Sequence, residues 1–248
     1  MKISDKDLKI FSRQLILSEF KNNKFNDLQK KHIVIIGMGG IGCPLAQYLV
    51  GSGIKKLTIV DADVIKLENL NRQILYNINS VGKKKVDIAK KKLIQINPKA
   101  TICTVDKKVE KKNIKKIIDK PSIIIDATDC WETMNIINRF CLKNYIPLLS
   151  ASVIGFDGQV ILFKNIMNHH LCLNCIFPNK KEPKLPRCDT VGVMGIAAGL
   201  TGLVAAQLTL NFFLKFKKIQ NNLITISSKT LNIDQIKVKK NNKCSNIN

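Results

Sequence analysis

Gly37, Gly39 and Gly42 stand in a Gly-x-Gly-x-x-Gly pattern inside "IVIIGMGGIGCPLAQYL". The apolar run before them, "HIVIIG" (32–37), predicts a buried strand, and "CPLAQYLVGSG" after them predicts a helix. Glycine in such a turn lets the backbone fold tightly and lets phosphate oxygens reach the free N–H groups that open a helix. A second apolar run, "KLTIVDAD" (56–63), carries Asp61 at the distance where an acidic side chain meets a ribose hydroxyl. A lone glycine pattern is an ordinary turn. With both flanking elements and the acid in place, the pattern predicts nucleotide binding.

A dinucleotide site needs no cationic cluster downstream, and this chain has one. "LENLNRQILY" supplies Asn69, Arg72 and Gln73, and "VGKKKVDIAK" supplies Lys85 beside Lys83 and Lys84. Cations near a helix N-terminus suit a triphosphate, where they offset charge on a leaving pyrophosphate. Asp129 closes the apolar run "SIIIDATD". Strand ends at that face of a parallel sheet bind ligands, and a carboxylate there can hold magnesium. The other role open to Asp129 is an N-cap for the helix over 131–144.

The cysteines divide into groups. Cys172 and Cys175, in "LCLNCIFP", have the spacing of half a zinc site. Cys244, in "NNKCSNIN", is a third thiol with Ile247, not cysteine, three positions on. Either a water, or His169 or His170, completes four ligands, or the site is weak or empty. Cys188 lies in a Pro-rich, charged loop beside Lys184 and Arg187, where cations lower a thiol pKa. It is either a nucleophile or a spectator. Cys43, Cys103 and Cys141 fall within predicted elements and are expected to be small buried hydrophobes.

Alternating elements position these groups. After the first two strands come a lysine-rich helix near 83–96, the strand "TICTV", a helix near 110–119, the strand "SIIIDATD" (122–129), a helix over 131–144 and the strand "IPLLSAS". From about 158 the pattern changes, and "GQVILF", "NLITIS" and "TLNIDQIKV" predict antiparallel strands. The fold class is therefore α/β: a Rossmann-like, doubly wound, mostly parallel sheet continued by antiparallel strands in a single domain over 1–248. The nucleotide-binding part covers about 1–150 and the remainder about 151–248.

The formal charge of +23 alone would point to nucleic acid or an anionic membrane. The lysines are scattered among Asn and Ile without aromatic interleaving, so a solvated surface is expected and no nucleic-acid partner. Such a surface still speeds encounter with an acidic partner. Eight cysteines behind an opening segment that mixes charge with apolar residues predict reduced thiols in a cytoplasmic protein. The uncharged stretch Thr190–Leu214 is long enough to span a bilayer, but Gly192, Gly195, Gly199 and Gly202 interrupt it and polar residues follow. A buried core or interface helix fits it equally well.

Taken in order, "FSRQLIL", "GMGGIGCPLAQYL", "DADVIKLENLNRQIL", "VGKKKV", "DATD", "SASVIGFDGQV", "CLNC" and "RCDTVGVMG" resemble the MoeB/ThiF/HesA family. These are bacterial adenylyltransferases related to the ubiquitin-activating enzymes. The resemblance runs from about residue 5 to Cys244 and is slightly closer to ThiF than to MoeB. It implies ATP- and Mg2+-dependent adenylylation of the Gly-Gly carboxylate of a ubiquitin-like sulfur carrier, with release of pyrophosphate, for thiamine or molybdopterin sulfur transfer. By position, Gly40 joins Gly37, Gly39 and Gly42 in the phosphate loop and Asp61 holds the ribose. Asn69, Arg72 and Lys85 bind phosphates with Gln73 beside them, and Asp129 coordinates magnesium.

Arg13 matches the arginine that family homodimers insert into the neighbouring subunit's site. Cys188 matches a cysteine that forms a thioester or acyl-disulfide in relatives, and sulfur would come from a cysteine desulfurase or rhodanese. The 190–214 stretch matches a core helix near the dimer interface, so no membrane association is expected. Two positions depart from the family. Cys130 replaces an asparagine after Asp129, and the family's second C-terminal zinc cysteine falls at Ile247. A non-catalytic carrier-docking relative and an NAD-dependent oxidoreductase are the competing expectations, and the latter leaves Arg13, Arg72 and Lys85 unexplained.

Overall fold

The computed structural model describes residues 4–21, 23–165, 171–178, 191–216, 222–241 and 244. Three short helices come first: α1 (Asp5–Ile10), α2 (Ser12–Leu15) and α3 (Lys24–Gln29). The expected alternation follows as β1 (His32–Ile36), α4 (Gly42–Gly51), β2 (Lys56–Val60), α5 (Lys85–Ile96) and β3 (Thr101–Val105). It continues through α6 (Ile114–Ile117), β4 (Ile123–Asp126), α7 (Trp131–Lys143) and β5 (Leu148–Ile154). Next in sequence are β6 (Asp157–Phe163), α8 (Leu173–Ile176), α9 (Gly195–Phe213), β7 (Asn222–Ser227) and β8 (Asn232–Lys237).

The strands form one eight-stranded sheet in the order β3-β2-β1-β4-β5-β6-β7-β8. Pairing is parallel from β3 across to β5 and antiparallel from β5 to β8. The order reverses between β1 and β4, and in such sheets the ligand crevice opens beyond the carboxyl ends of the strands at that point. Every residue of β1 is buried, as a strand covered on both faces requires. Its side chains alternate: Ile33 and Ile35 pack in a core with α4, α5 and α9, whereas Val34 and Ile36 join one built with α7 and α8.

The apolar helix α9 is 19 residues long, enough to cross a membrane. Here it packs against α4, β5 and β6 and buries Ala197, Ala198, Ala205 and Ala206. Its buried Thr201 and Thr209 hydroxyls donate to the Ala197 and Ala205 carbonyls one turn back, so both hydroxyls are satisfied within the helix. It is a core helix.

Two local expectations need correction. The helix near 110–119 shrinks to the four residues of α6, because Asn113 ties the preceding loop instead. Its Oδ1 accepts the Glu110 N–H at 2.8 Å and its Nδ2 donates to the Lys108 carbonyl at 2.8 Å, the local competition with helix that asparagine favours. Cys103 is exposed, not buried. It lies on the edge strand β3, where alternation turns Ile102 inward and its neighbour outward. Cys43 and Cys141 are buried as expected.

Candidate nucleotide-binding site

The glycine turn follows β1 at the reversal point. Gly37 has φ +96°, and a Cβ there would lie 2.6 Å from the Ala127 carbonyl oxygen just past β4. Glycine is therefore needed for both conformation and space. A Cβ on Gly42 would run into the Gly37 carbonyl, so α4 starts directly behind the turn. The N–H groups of Gly39, Gly40, Ile41 and Gly42 find no acceptor among the described residues. They form the open, electropositive end of a ten-residue helix.

Asp61, just beyond β2, braces this turn. Its Oδ2 accepts the Met38 N–H at 2.7 Å and its Oδ1 accepts the Asp63 N–H at 2.8 Å. Burial pushes its carboxyl above the usual range, opposed by the charge of Lys85. Each oxygen retains a lone pair for a ribose hydroxyl.

The cations are arranged unequally. Lys84 pairs with Asp106, and Lys83 donates to the Asn79 carbonyl at 2.8 Å. Lys85 opens α5, is buried, and reaches Asp63 Oδ2 at 2.7 Å. Arg72 donates through Nη1 to the Glu68 carbonyl at 2.8 Å and to Asn71 Oδ1 at 3.1 Å, which fixes its guanidinium over this loop. Asn69 is buried and its Oδ1 accepts the Lys66 N–H, so its amide shapes the loop. Gln73 is 4% exposed. Its Oε1 has no partner among the described residues, and its Nε2 is 3.8 Å from where a Cβ on Gly39 would stand. The carboxamide packs beside the row of N–H groups, and that row can receive the oxygens of a phosphate.

The floor beneath these loops is α9. A Cβ on Gly195 would come within 2.5 Å of the Asn71 carbonyl, and one on Gly202 within 2.5 Å of the Ile41 carbonyl. Ala198 Cβ stands 3.0 Å from the Cβ position of Gly40. Glycines seven apart lie on one helical face. That spacing was visible in the sequence, but only the fold shows what the face meets.

Asp129 is exposed and makes no hydrogen bond among the described residues. The N-cap of α7 is Cys130, with no side-chain capping bond. The capping role weighed for Asp129 is therefore not taken. Asp126, which sequence reasoning passed over, is a buried carboxyl at the end of β4. It accepts the Thr128 N–H at 3.1 Å and hydroxyl at 2.7 Å. Burial pushes it up to about 7, with the charge of Asp129 adding to the rise. A cavity of about 290 Å³ opens between the loop after β3 and α7, lined by residues that include Val109, Glu110, Glu132, Thr133 and Ile136.

Not every predicted residue joins this group. Arg13 is exposed on α2. The neighbouring Gln14 donates to the Ser52 carbonyl at 2.9 Å, at the C-terminal end of α4, whereas the glycine turn is at the other end of that helix. Cys188, His169, His170 and Ile247 lie outside the described residues.

The three remaining thiols meet. Cys172 Sγ is 3.5 Å from Cys244 Sγ and 3.9 Å from Cys175 Sγ, and the three sulfurs lie within 4.8 Å of one another. Tetrahedral zinc at about 2.3 Å from each sulfur sets neighbouring sulfurs roughly 3.8 Å apart, so the cluster has the dimensions of three corners of such a site. Burial, chiefly, raises Cys172 to about 12. Burial also works upward on Cys175, but hydrogen bonding from the Asn241 and Cys172 backbone outweighs it and lowers that thiol.

Strand order and glycine turn define a Rossmann-type α/β protein. The chain belongs to the ThiF family, whose description matches residues 11–246. It is 31% identical to the Sulfur carrier protein ThiS adenylyltransferase of Escherichia coli, over 82% of this chain and 80% of that protein. To the Molybdopterin-synthase adenylyltransferase of Salmonella typhimurium it is 29% identical, over 98% of this chain and 97% of that protein. It also matches the Adenylyltransferase and sulfurtransferase MOCS3 of Culex quinquefasciatus at 32% identity, spanning 48% of that longer protein. Among solved structures, E. coli MccB with ATP superposes with a TM-score of 0.78 at 21% identity, covering 98% of this chain and 82% of that one. That likeness concerns the fold.

Proposed function

We propose that this protein is an adenylyltransferase that activates the C-terminal carboxylate of a ubiquitin-like sulfur carrier with MgATP. The observation that carries this reading is the pairing of an unoccupied N–H row at Gly39–Gly42 with inward Lys85 and Arg72. A carboxylate attacks the α-phosphorus, the bond to the β-phosphate oxygen breaks, and pyrophosphate leaves with the carrier held as an acyl-adenylate. The carboxylate needs no base, since it arrives deprotonated. The work falls to positioning and charge neutralisation.

In this reading Asp61 holds the ribose and Gln73 closes over the turn. Lys85, Arg72 and Asn69 surround the phosphates, and Asp129 supplies a carboxylate for magnesium. The cavity beside α7 receives the base. Arg13, beyond reach of its own turn, serves the site of a second copy in a homodimer. Cys172, Cys175 and Cys244 hold zinc as a structural ion, and Cys188 accepts the activated carrier in a later sulfur-transfer step. ATP–pyrophosphate exchange with a Gly-Gly-ended carrier tests the reading. Exchange that requires the carrier supports it, and its absence with both thiamine-type and molybdopterin-type carriers overturns it.

A further inference from the structure

Tyr76, three residues past Gln73, is 5% exposed and takes no part in the chemistry described so far. Its hydroxyl donates to the Met38 carbonyl at 2.9 Å, and its oxygen stands 3.5 Å from the Lys85 carbonyl. The Cys43 thiol donates more weakly to the same Met38 carbonyl, at 3.4 Å. On the other side of Met38, its N–H is held by Asp61 at 2.7 Å. Burial raises both the Tyr76 phenol and the Cys43 thiol, the latter to about 12, so both stay protonated as donors.

Met38 is thus gripped at its N–H by a carboxylate and at its carbonyl by a phenol. The peptide units on either side of it set the direction of the N–H groups at Gly39 to Gly42, which have no acceptor among the described residues. A phenylalanine ring would fill the same apolar space, so packing does not account for the hydroxyl. We propose that Tyr76 is a positioning residue for the triphosphate: its hydroxyl and the Asp61 carboxylate together lock Met38 so that the Gly39–Gly42 N–H groups face outward before nucleotide arrives. The same hydroxyl packs close to the Lys85 carbonyl, so the turn lies against the start of the helix bearing the phosphate-binding lysine.

This inference rests on the nucleotide reading above. The test is the affinity of native and Tyr76→Phe protein for MgATP and for adenosine, measured by calorimetry well below the melting temperature. Loss of a buried donor to the loop carbonyl is expected to weaken MgATP binding about tenfold while leaving adenosine within about twofold, because adenosine has no phosphate to place. Leu162→Ala, a truncation of the buried core in β6, serves as the destabilised control and keeps its MgATP affinity. Unchanged MgATP affinity in Tyr76→Phe, or an equal loss for both ligands, overturns the inference and leaves the nucleotide reading standing. Failure of native protein to bind MgATP overturns both. Hydrogen exchange of the native, nucleotide-free protein gives a second readout: the Met38 amide is expected to be protected, and rapid exchange there refutes a pre-locked turn.

Discussion

Replacing Lys85 with methionine separates a phosphate-binding lysine from a structural one. The Lys85 side chain is 7% accessible, whereas its partner Asp63 is 69% accessible. An ion pair with one partner in solvent contributes about 0–1 kcal/mol. Methionine keeps most of the stem volume and removes the cost of burying an ammonium group. The melting temperature of Lys85→Met is therefore expected to stay within about 4 °C of native. Nucleotide binding responds differently. Lys85 is the buried cation of its lysine run, so methionine removes a charge-assisted hydrogen bond worth about 1.5–3 kcal/mol, or roughly 10- to 150-fold in MgATP affinity. Calorimetry for binding and circular dichroism for melting read the two effects independently. Affinity within twofold of native, or a drop in melting temperature well beyond 4 °C, would refute the reasoning.

Asp126 makes stability depend on pH in the direction opposite to most carboxylates. Its value is about 7 in the fold against an ordinary 3.8, so between those values the native state keeps a proton that the unfolded chain has released. Stability therefore falls as pH rises through that window, and Asp126→Asn should flatten melting curves recorded from pH 4 to 7. Gly37→Ala must place a Cβ 2.6 Å from the Ala127 oxygen at φ +96°; a loss of about 2–4 kcal/mol is expected by chemical denaturation. Metal analysis of purified protein should find one zinc per chain, removed in Cys172→Ser together with a lower melting temperature. A metal-free native protein that melts normally contradicts the zinc assignment.

What could be read from the sequence was what lies close along the chain. The glycine turn, its flanking strand and helix, and Asp61 just past the second strand are local spacings, and the fold brings Asp61 to the Met38 N–H of the turn. The parallel-to-antiparallel change was legible because the strand periodicity shifts near residue 158. Other features depend on contacts between distant segments. Nothing local in "LENLNRQILY" marks Tyr76; its role depends on the fold bringing the Met38 carbonyl to its hydroxyl. Asp126 sits in an ordinary strand end, and only the layers over β4 show that it is buried. The glycines of α9 argued against a membrane span without revealing that Gly195 and Gly202 mark where the helix presses against the two phosphate-site loops. Cys103 was misjudged because a strand's own sequence does not say whether it lies at the sheet edge.

The most direct measurement follows the label of ATP in a single turnover with a Gly-Gly-ended carrier. Label at the α-phosphorus should appear on the carrier as an acyl-adenylate, with one pyrophosphate released for each carrier modified. Release of ADP and inorganic phosphate, or carrier left unlabelled while ATP is consumed, would contradict adenylation as the activity of this fold.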